Sequence, residues 1–207
     1  MNEKFYSLPE EKQQAMLQAA YRVFSRYSYK KSPMREIAEA AGISKALLFH
    51  YFRSKRELYL YLWDRCAAAT ISVMDQFHCY EDVPFFTQME RGMQAKINIM
   101  RQEPDMAGFA IRAYYEEDPA IRPAIQESLR RFLSGKAKMP VFRLKPEEFR
   151  PGLDLQMMYK QMYWAADAYS REMVRRGPID PDRLERVFTE MVAFWKQAYG
   201  RAEEESD

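Results

Sequence analysis

The sequence predicts an all-α protein with two parts: a domain of three short helices at residues 1–53 and a larger helical domain at residues 54–207. Apolar residues recur every three or four positions over most of the chain, which is the period of an amphipathic helix. Glycine is rare, with 7 residues, and no segment shows the sustained alternation of apolar and polar residues that is typical of a strand. These observations favour helices throughout.

Cap residues define the first three predicted helices. Ser7 and Glu10 form a capping box, which predicts that the first helix begins between them. The second helix begins near Ser32 and ends at Gly42, since glycine commonly follows the last turn of a helix. Ser44 is placed to cap a third, short helix that ends near residue 51.

The remaining helices follow from a second capping box and from apolar periodicity. Ser54 and Glu57 predict the start of a long fourth helix. Residues 135–152 contain several prolines and are expected to be irregular. Further amphipathic helices are predicted at residues 84–101, 104–116, 119–134, 153–176 and 181–202.

Positive charge is concentrated in the first quarter of the chain. Residues 1–56 contain 11 Lys and Arg but only 5 Glu, a net charge of +6, whereas the whole chain has a net charge of +2. A basic segment joined to a slightly acidic remainder indicates that the N-terminal part binds a polyanion.

The sequence lacks the residues that several functional classes of protein require. Cys66 and Cys79 form no CxxC pair, and the two histidines, His50 and His78, do not complete a metal-ligand set. We therefore expect no metal site, no cofactor and reduced structural thiols, with a redox switch or a metal site at the cysteines as the alternatives. No apolar run approaches the ~20 residues of a membrane span. The N-terminus also lacks the pattern of a signal peptide, so a cytoplasmic protein without a membrane partner is predicted.

Residues 34–53 satisfy the requirements of a helix-turn-helix. This unit needs a small residue where its two helices touch, and Ala38 occupies that position. It also needs a residue that tolerates positive φ four positions later, and Gly42 supplies it. Apolar residues that hold the unit on the first helix are present in register: Ile37, Ala41, Ile43, Leu48 and Tyr51.

This unit resembles the DNA-binding domain of TetR-family (tetracycline-repressor-like) regulators. The resemblance rests on residues 34–45 (MREIAEAAGISK), 48–52 (LFHYF) and 54–58 (SKREL), and it extends over roughly residues 10–60. It implies that the N-terminal domain binds double-stranded DNA and that the C-terminal domain is a helical ligand-binding and dimerisation domain. The homodimer is expected to form through the last two helices, residues 153–202.

The second helix of the unit exposes the residues expected in a DNA major groove and at its phosphates. The resemblance assigns Lys55 to phosphate anchoring, and Lys45 lies at a helix N-terminus, where backbone N–H groups favour a phosphate. The family usually has Gly-Thr at Ala46-Leu47 and Tyr at Phe49, so this chain lacks two hydroxyl groups, although Leu47 can contact a thymine methyl. The predicted DNA-binding residues are Arg35, Ser44, Lys45, Ala46, Leu47, Phe49, His50, Tyr51 and Lys55.

The C-terminal domain is rich in methionine and aromatic residues, which suit an adaptable pocket for a small hydrophobic or amphipathic effector. The same residues also suit an ordinary core, which is the commoner role for any single one of them. The helices at 153–176 and 181–202 carry more apolar positions than one stripe holds, as expected when a second face packs on a partner copy. The predicted effector-binding residues are Trp63, Phe86, Met89, Met93, Phe109, Tyr114, Met162 and Tyr163.

The sequence thus predicts a ligand-responsive transcriptional repressor that binds a palindromic operator as a dimer and is released by its effector. Two alternatives remain open: an interaction protein that kept the helix-turn-helix shape but lost DNA binding, and a helical enzyme. The enzyme is disfavoured because the chain has no nucleophile elbow, no Gly-rich phosphate loop and no HExxH motif.

Overall fold

A computed structural model describes residues 3–134, 144–177 and 179–201 of the chain. Within these ranges it contains α-helices, one 3-10 turn and no β-strand, which confirms the all-α prediction. The helices are α1 (Glu3–Tyr6), α2 (Glu10–Arg26), α3 (Met34–Ala40), α4 (Lys45–Tyr51), α5 (Lys55–Gln76), α6 (Phe85–Gln102), α7 (Pro104–Tyr114), α8 (Arg122–Ser134), α9 (Leu155–Arg176) and α10 (Pro181–Tyr199).

Every helix predicted from the sequence is present, but the chain begins differently from the prediction. The short helix α1 precedes α2, and the Ser7 hydroxyl donates to the Lys4 carbonyl at 2.9 Å at the end of α1. The N-cap of α2 is Pro9, without a side-chain hydrogen bond. The predicted capping box of Ser7 and Glu10 is therefore wrong, because Ser7 ends one helix instead of beginning the next.

The second predicted capping box, at the start of α5, forms with a shifted partner. The Ser54 hydroxyl accepts a hydrogen bond from the Glu57 backbone N–H at 3.1 Å, as expected of a cap. The Glu57 carboxylate accepts the Arg53 N–H at 2.9 Å, one residue before the position that the motif predicts. The start of α5 is therefore fixed on both sides of Ser54.

The described residues form two compact units, and each unit consists of two separate segments of the chain. One unit contains the chain up to Ile71 and the segment from Ile99 through α8. The other contains Ser72–Asn98 and the described residues from Leu144 onward. The predicted boundary between residues 53 and 54 divides the chain by expected function and not by compactness. It stays a prediction.

The first unit has its core between α2, α5 and α7. Helix α2 packs along α7, and the ring of Tyr59 lies 4.9 Å from the rings of both Phe24 and Phe109, measured between centroids. All three side chains are buried. Complete burial of a large apolar side chain contributes about 1.5–3 kcal/mol to stability, so these rings hold α7 firmly against α2.

The second unit has a separate apolar cluster. The rings of Phe85 and Phe149 lie 5.4 Å apart. Asp154 and Asp180 cap α9 and α10, because each carboxylate accepts two backbone N–H groups of the first turn. The buried members of the cluster are Phe85, Phe86, Phe149, Met158, Met162, Val192 and Trp195.

Part of the segment predicted to be irregular, residues 135–143, lies outside the described residues. The part that is described contains the 3-10 turn Pro146–Glu148 and an antiparallel bridge between Phe149 and Gly200. A search of the described helices finds none with the length and apolarity that a membrane span requires.

Candidate nucleic-acid interface

The turn between α3 and α4 has the geometry that its sequence predicts. Gly42 has a φ of +67°, a left-handed conformation that glycine adopts without strain. The Gly42 N–H donates to the Glu39 carbonyl at 3.1 Å, and the Ile43 N–H donates to the Ala38 carbonyl at 3.0 Å. These two bonds form a Schellman motif, which ends α3 and sets the direction in which α4 begins.

Helix α4 presents one exposed face to solvent and one buried apolar face to the core. The Ser44 hydroxyl accepts the Leu47 N–H at 3.0 Å, which confirms the predicted N-cap. Leu48 and Tyr51 are buried in the cluster that includes Ile37 and Ala38. The residues on the opposite face are exposed: Ser44, Lys45, Ala46, Leu47 and His50.

The structure separates the predicted recognition residues into outer and inner groups. The five exposed residues of the α4 face extend from the N-cap Ser44 to His50 near the end of the helix. Phe49 is half-buried, and the Lys45 ammonium lies 5.9 Å from the centroid of its ring. Tyr51, which was predicted as a DNA contact, has only 9% of its surface exposed. Most of the Tyr51 side chain supports α4 from the core side, and its contact with DNA stays a prediction.

Arg35 is exposed on α3, at the side of the unit where a phosphate contact was predicted. Its Nε atom donates to Glu39 Oε1 at 2.6 Å, one helical turn further on. This hydrogen bond raises the pKa of Arg35 above its usual value. An exposed pair of this kind contributes little to stability, so a phosphate can displace Glu39 at low cost.

Lys55 has a different environment from the one that the sequence predicts. Its ammonium donates to the Ser32 carbonyl at 2.6 Å and to the Lys30 carbonyl at 3.3 Å, and it lies 5.1 Å from the centroid of the Tyr29 ring. Burial lowers the pKa of Lys55, which nearby Asp118 and Glu116 partly offset. Since an ammonium has three N–H donors, these two bonds leave one for a phosphate. The main role of Lys55 in the structure is therefore to stabilise the turn before α3.

A second set of contacts around the helix-turn-helix was not predicted from the sequence. The Glu116 carboxylate accepts the Tyr29 N–H at 2.7 Å, and Arg112 Nε donates to the Ser25 carbonyl at 2.9 Å. Arg56 Nε donates to the Ala120 carbonyl at 3.0 Å. We call Arg56, Arg112 and Glu116 the polar clasp. It connects the helix-turn-helix to the end of α7 through partners more than 60 residues apart in sequence, for which no local pattern exists.

The predicted effector-binding residues are divided between the two units. Trp63 and Phe109 lie in the core of the first unit, and the indole N–H of Trp63 is buried without a hydrogen-bond partner. Tyr114 and Tyr163 are exposed. The remaining predicted residues belong to the second unit, where Phe86, Met89 and Met162 share the apolar cluster and Met93 contacts Thr189.

The two thiols are free and buried. Burial raises the pKa of Cys66 to about 12, and it also raises the pKa of Cys79. Both are therefore protonated at neutral pH, in which state a thiol is a poor nucleophile. Among the described residues, no group of three or more His, Cys, Asp and Glu side chains is arranged to hold a metal ion.

Comparison with known proteins supports the assignment of α2–α5 as a DNA-binding unit. Residues 16–62 match the model of the family described as bacterial regulatory proteins, tetR family. The HTH-type transcriptional regulator RutR of Escherichia coli (strain K12) is 24% identical over 155 residues, which are 75% of this chain and 71% of RutR. The HTH-type transcriptional repressor AcnR of Corynebacterium glutamicum is 32% identical over 68 residues, which are 33% of this chain and 36% of AcnR.

The similarity of fold continues beyond the matched segment. The crystal structure of the transcriptional regulator FadR from Bacillus subtilis in complex with stearoyl-CoA has a TM-score of 0.64 and 17% sequence identity, over 88% of this chain and 96% of that chain. At this identity the comparison shows the fold alone. The family model and the two relatives carry the assignment: residues 16–62 match the helix-turn-helix segment of tetR-family bacterial regulatory proteins, and both relatives are HTH-type transcriptional regulators.

Proposed function

We propose that this protein is a transcriptional repressor that binds a palindromic operator as a homodimer and is released by a small hydrophobic or amphipathic effector. The observation that carries the proposal is the exposed face of α4, residues 44–47 and 50, on a capped helix within the segment matched to the tetR family. A helix of this kind enters the major groove with its N-terminal residues toward the bases.

The exposed residues of α4 have different proposed roles. Lys45 lies at the helix N-terminus, so its ammonium and the free backbone N–H groups attract a phosphate. Leu47 is 38% exposed, and its side chain suits contact with a thymine methyl. His50 is exposed one turn further along the helix, where an imidazole can hydrogen-bond to a base edge. Phosphate contacts position the protein, whereas the two other residues provide sequence preference.

We propose that the dimer forms through α9 and α10. Large apolar side chains are exposed on both helices, although each helix also contributes to the buried cluster of the second unit. Large apolar side chains that lie together on a protein surface are typical of an association site. The most exposed of these side chains are Met157, Tyr163, Trp164 and Phe194. A two-fold dimer would present two α4 helices to half-sites about one DNA turn apart, on the order of 34–36 Å.

The class of effector is proposed from residue chemistry and from one structural relative. The predicted pocket residues are methionine and aromatic side chains, which pack against varied apolar ligands. FadR from Bacillus subtilis, which shares the fold, was solved with stearoyl-CoA, an amphipathic molecule. An effector shifts the DNA-binding equilibrium only through its preference for one conformation. We propose that α7 carries this preference to the helix-turn-helix through the polar clasp.

The DNA-binding proposal can be tested by selection from a pool of randomised duplexes, followed by titration at several salt concentrations. Lys45→Ala should weaken binding to every sequence and reduce the salt slope by about one unit. Leu47→Ala should relax preference at one position of each half-site, at a cost of roughly 1–3 kcal/mol. Arg101→Ala, an exposed change at the end of α6, serves as the control and should leave both quantities unchanged.

One observation favours a second candidate function. Leu47 and Phe49 stand where the family usually has hydroxyl side chains, so this α4 has fewer hydrogen-bond donors than its relatives. A protein that kept the fold as an interaction module would enrich no sequence in the selection. Such a protein would also bind random duplexes no more tightly than it binds an acidic polymer. These two results together would favour the interaction protein over the repressor.

A further inference from the structure

The short helix α1 precedes the residues matched to the tetR family, and its buried side chain is Phe5. Phe5 is fully buried, although it lies close to the chain terminus. Its ring centroid is 4.9 Å from that of Phe52, 6.2 Å from that of Tyr51 and 6.0 Å from that of Tyr61. Phe5 therefore fills the space beneath the C-terminal end of α4.

Polar contacts hold α1 in this position. Gln13 on α2 donates from Nε2 to the Leu8 carbonyl at 2.9 Å and to the Tyr6 carbonyl at 3.3 Å. The Ser7 hydroxyl donates to the Lys4 carbonyl at 2.9 Å and closes the last turn of α1. These bonds direct the N-terminal segment back over the helix-turn-helix, so Phe5 reaches α4 from outside the matched domain.

Helix α4 needs such support because it is short. It has seven residues, which is too few for a helix that is stable without tertiary packing. The Schellman motif and the Ser44 cap fix its N-terminal end. At its C-terminal end, Tyr51 and Phe52 are buried against Phe5. The Tyr51 ring in turn lies 5.6 Å from the ring of His50 on the exposed face.

We infer that Phe5 is a positioning residue for DNA recognition, which fixes the height and tilt of α4 above the core. This inference rests on the proposed DNA-binding function. Removal of the ring leaves a cavity into which Tyr51 and Phe52 can move, and His50 moves with Tyr51. Contacts with base edges depend on placement within about 0.5 Å, whereas attraction to phosphates tolerates such a shift. Loss of Phe5 therefore reduces specific binding more than non-specific binding.

The test compares full-length variants on two labelled duplexes, the site selected by the wild-type protein and a scrambled duplex of the same composition. Phe5→Ala should weaken binding to the selected site by roughly tenfold or more. It should change binding to the scrambled duplex by less than about twofold. Phe5→Leu, which keeps most of the buried volume, should recover part of the loss but stay below wild type, and it also guards against a failure of Phe5→Ala to fold.

A matched control separates positioning from general destabilisation. Phe24→Leu changes an equally buried ring, whose neighbours are Tyr59 and Phe109 instead of α4 residues. Thermal melts should show similar losses of stability for Phe24→Leu and Phe5→Leu, but Phe5→Leu alone should reduce the ratio of specific to non-specific affinity. Hydrogen exchange should quicken in residues 45–52 of the Phe5 variants while exchange in residues 104–114 stays near wild type.

Failure of the Phe5 inference can be distinguished from failure of the proposed DNA-binding function. If the Phe5 variants keep the wild-type affinity ratio, or lose it no more than Phe24→Leu does, Phe5 is an ordinary core residue and the inference is overturned. If the wild-type protein enriches no site from the pool, the proposed DNA-binding function is overturned first.

Discussion

The helix-turn-helix and the last two helices show two different relations between sequence and structure. In the α3–α4 unit, Gly42 and Ser44 determine backbone geometry within a few residues of themselves, through a left-handed turn and an N-cap. In α9 and α10, the structure depends on which apolar side chains pack against other helices and which stay exposed. Met158 and Met162 are buried there, whereas Trp164, two residues further on, is 57% exposed.

The comparison shows that local stereochemistry specifies the DNA-binding surface, while long-range packing specifies the remainder. A left-handed residue or a cap imposes its geometry in any fold that contains it. An apolar residue on a helix indicates only that some surface covers it. The predictions below test whether the two regions fail in these different ways.

The largest effect is expected from a charge on the exposed apolar face of α9 and α10. Trp164→Glu should abolish the dimer at micromolar concentration, because an unpaired buried charge costs about 3–5 kcal/mol and the dimer buries it twice. Affinity for a palindromic site should fall at least about a hundredfold. Sedimentation and DNA titration measure both effects. Gln94→Glu, an exposed change on α6, should alter neither, and a dimeric Trp164→Glu protein would remove α9 from the interface.

The next effect distinguishes the two roles of Ser44. Ser44→Ala removes the N-cap of α4 and should lower the free energy of unfolding by about 1 kcal/mol. Ser44→Asp keeps a capping oxygen and should stay near wild-type stability, but its negative charge faces the DNA phosphates and should weaken DNA binding. Urea unfolding and DNA titration separate the two outcomes. Equal DNA affinity of Ser44→Asp and wild type would place Ser44 away from the phosphates.

Two glycines provide a matched pair with opposite expected signs. Gly42→Ala should destabilise the protein by roughly 1–2 kcal/mol, because alanine is strained at a φ of +67°. Gly92 lies within α6, and an added methyl group would meet nothing within 4 Å. Gly92→Ala should therefore stabilise the protein by up to about 1 kcal/mol. Urea unfolding curves measure both changes. A neutral Gly42→Ala would contradict the stereochemical role of the turn.

The smallest effect concerns the buried thiol of the first unit. Burial raises the pKa of Cys66 to about 12, so at pH 8 the folded protein contains almost no reactive thiolate. In a Cys79→Ala background, a thiol reagent should label Cys66 only after unfolding. The sign for stability follows from the raised pKa: the contribution of Cys66 is complete below pH 9 and is lost as the pH rises toward 12. Labelling at the rate of a free thiol would show that Cys66 is accessible.

The sequence was sufficient to predict the fold class, the helices α2–α10 and the residues that shape the α3–α4 turn. It was not sufficient for α1, whose four residues show no period. It also could not place Lys55, since the bond to Ser32 crosses 23 positions, or Glu116, whose bond to Tyr29 crosses 87. Contacts at such separations depend on the assembled fold, so a spacing rule cannot reveal them.

The predicted effector-binding residues depend even more strongly on the assembled fold, which the sequence pattern does not reveal. Methionine and aromatic side chains have the same periodicity in a core as in a pocket, and in the structure Phe109 is buried while Tyr114 on the same helix is 42% exposed. Chemistry alone could not separate these two positions. The predicted effector contacts and the DNA contacts of α4 both remain proposals, but the exposure of the α4 face follows from its geometry.

The mass of the complex on the selected duplex tests the central claim most directly. Sedimentation of the wild-type protein with a duplex that carries the selected site should give two copies per duplex, bound to inverted half-sites about one DNA turn apart. The same measurement after shortening the duplex to one half-site should show greatly weakened binding. A single copy bound tightly to one half-site, or a selection that enriches no inverted repeat, would contradict recognition of DNA by a two-fold dimer.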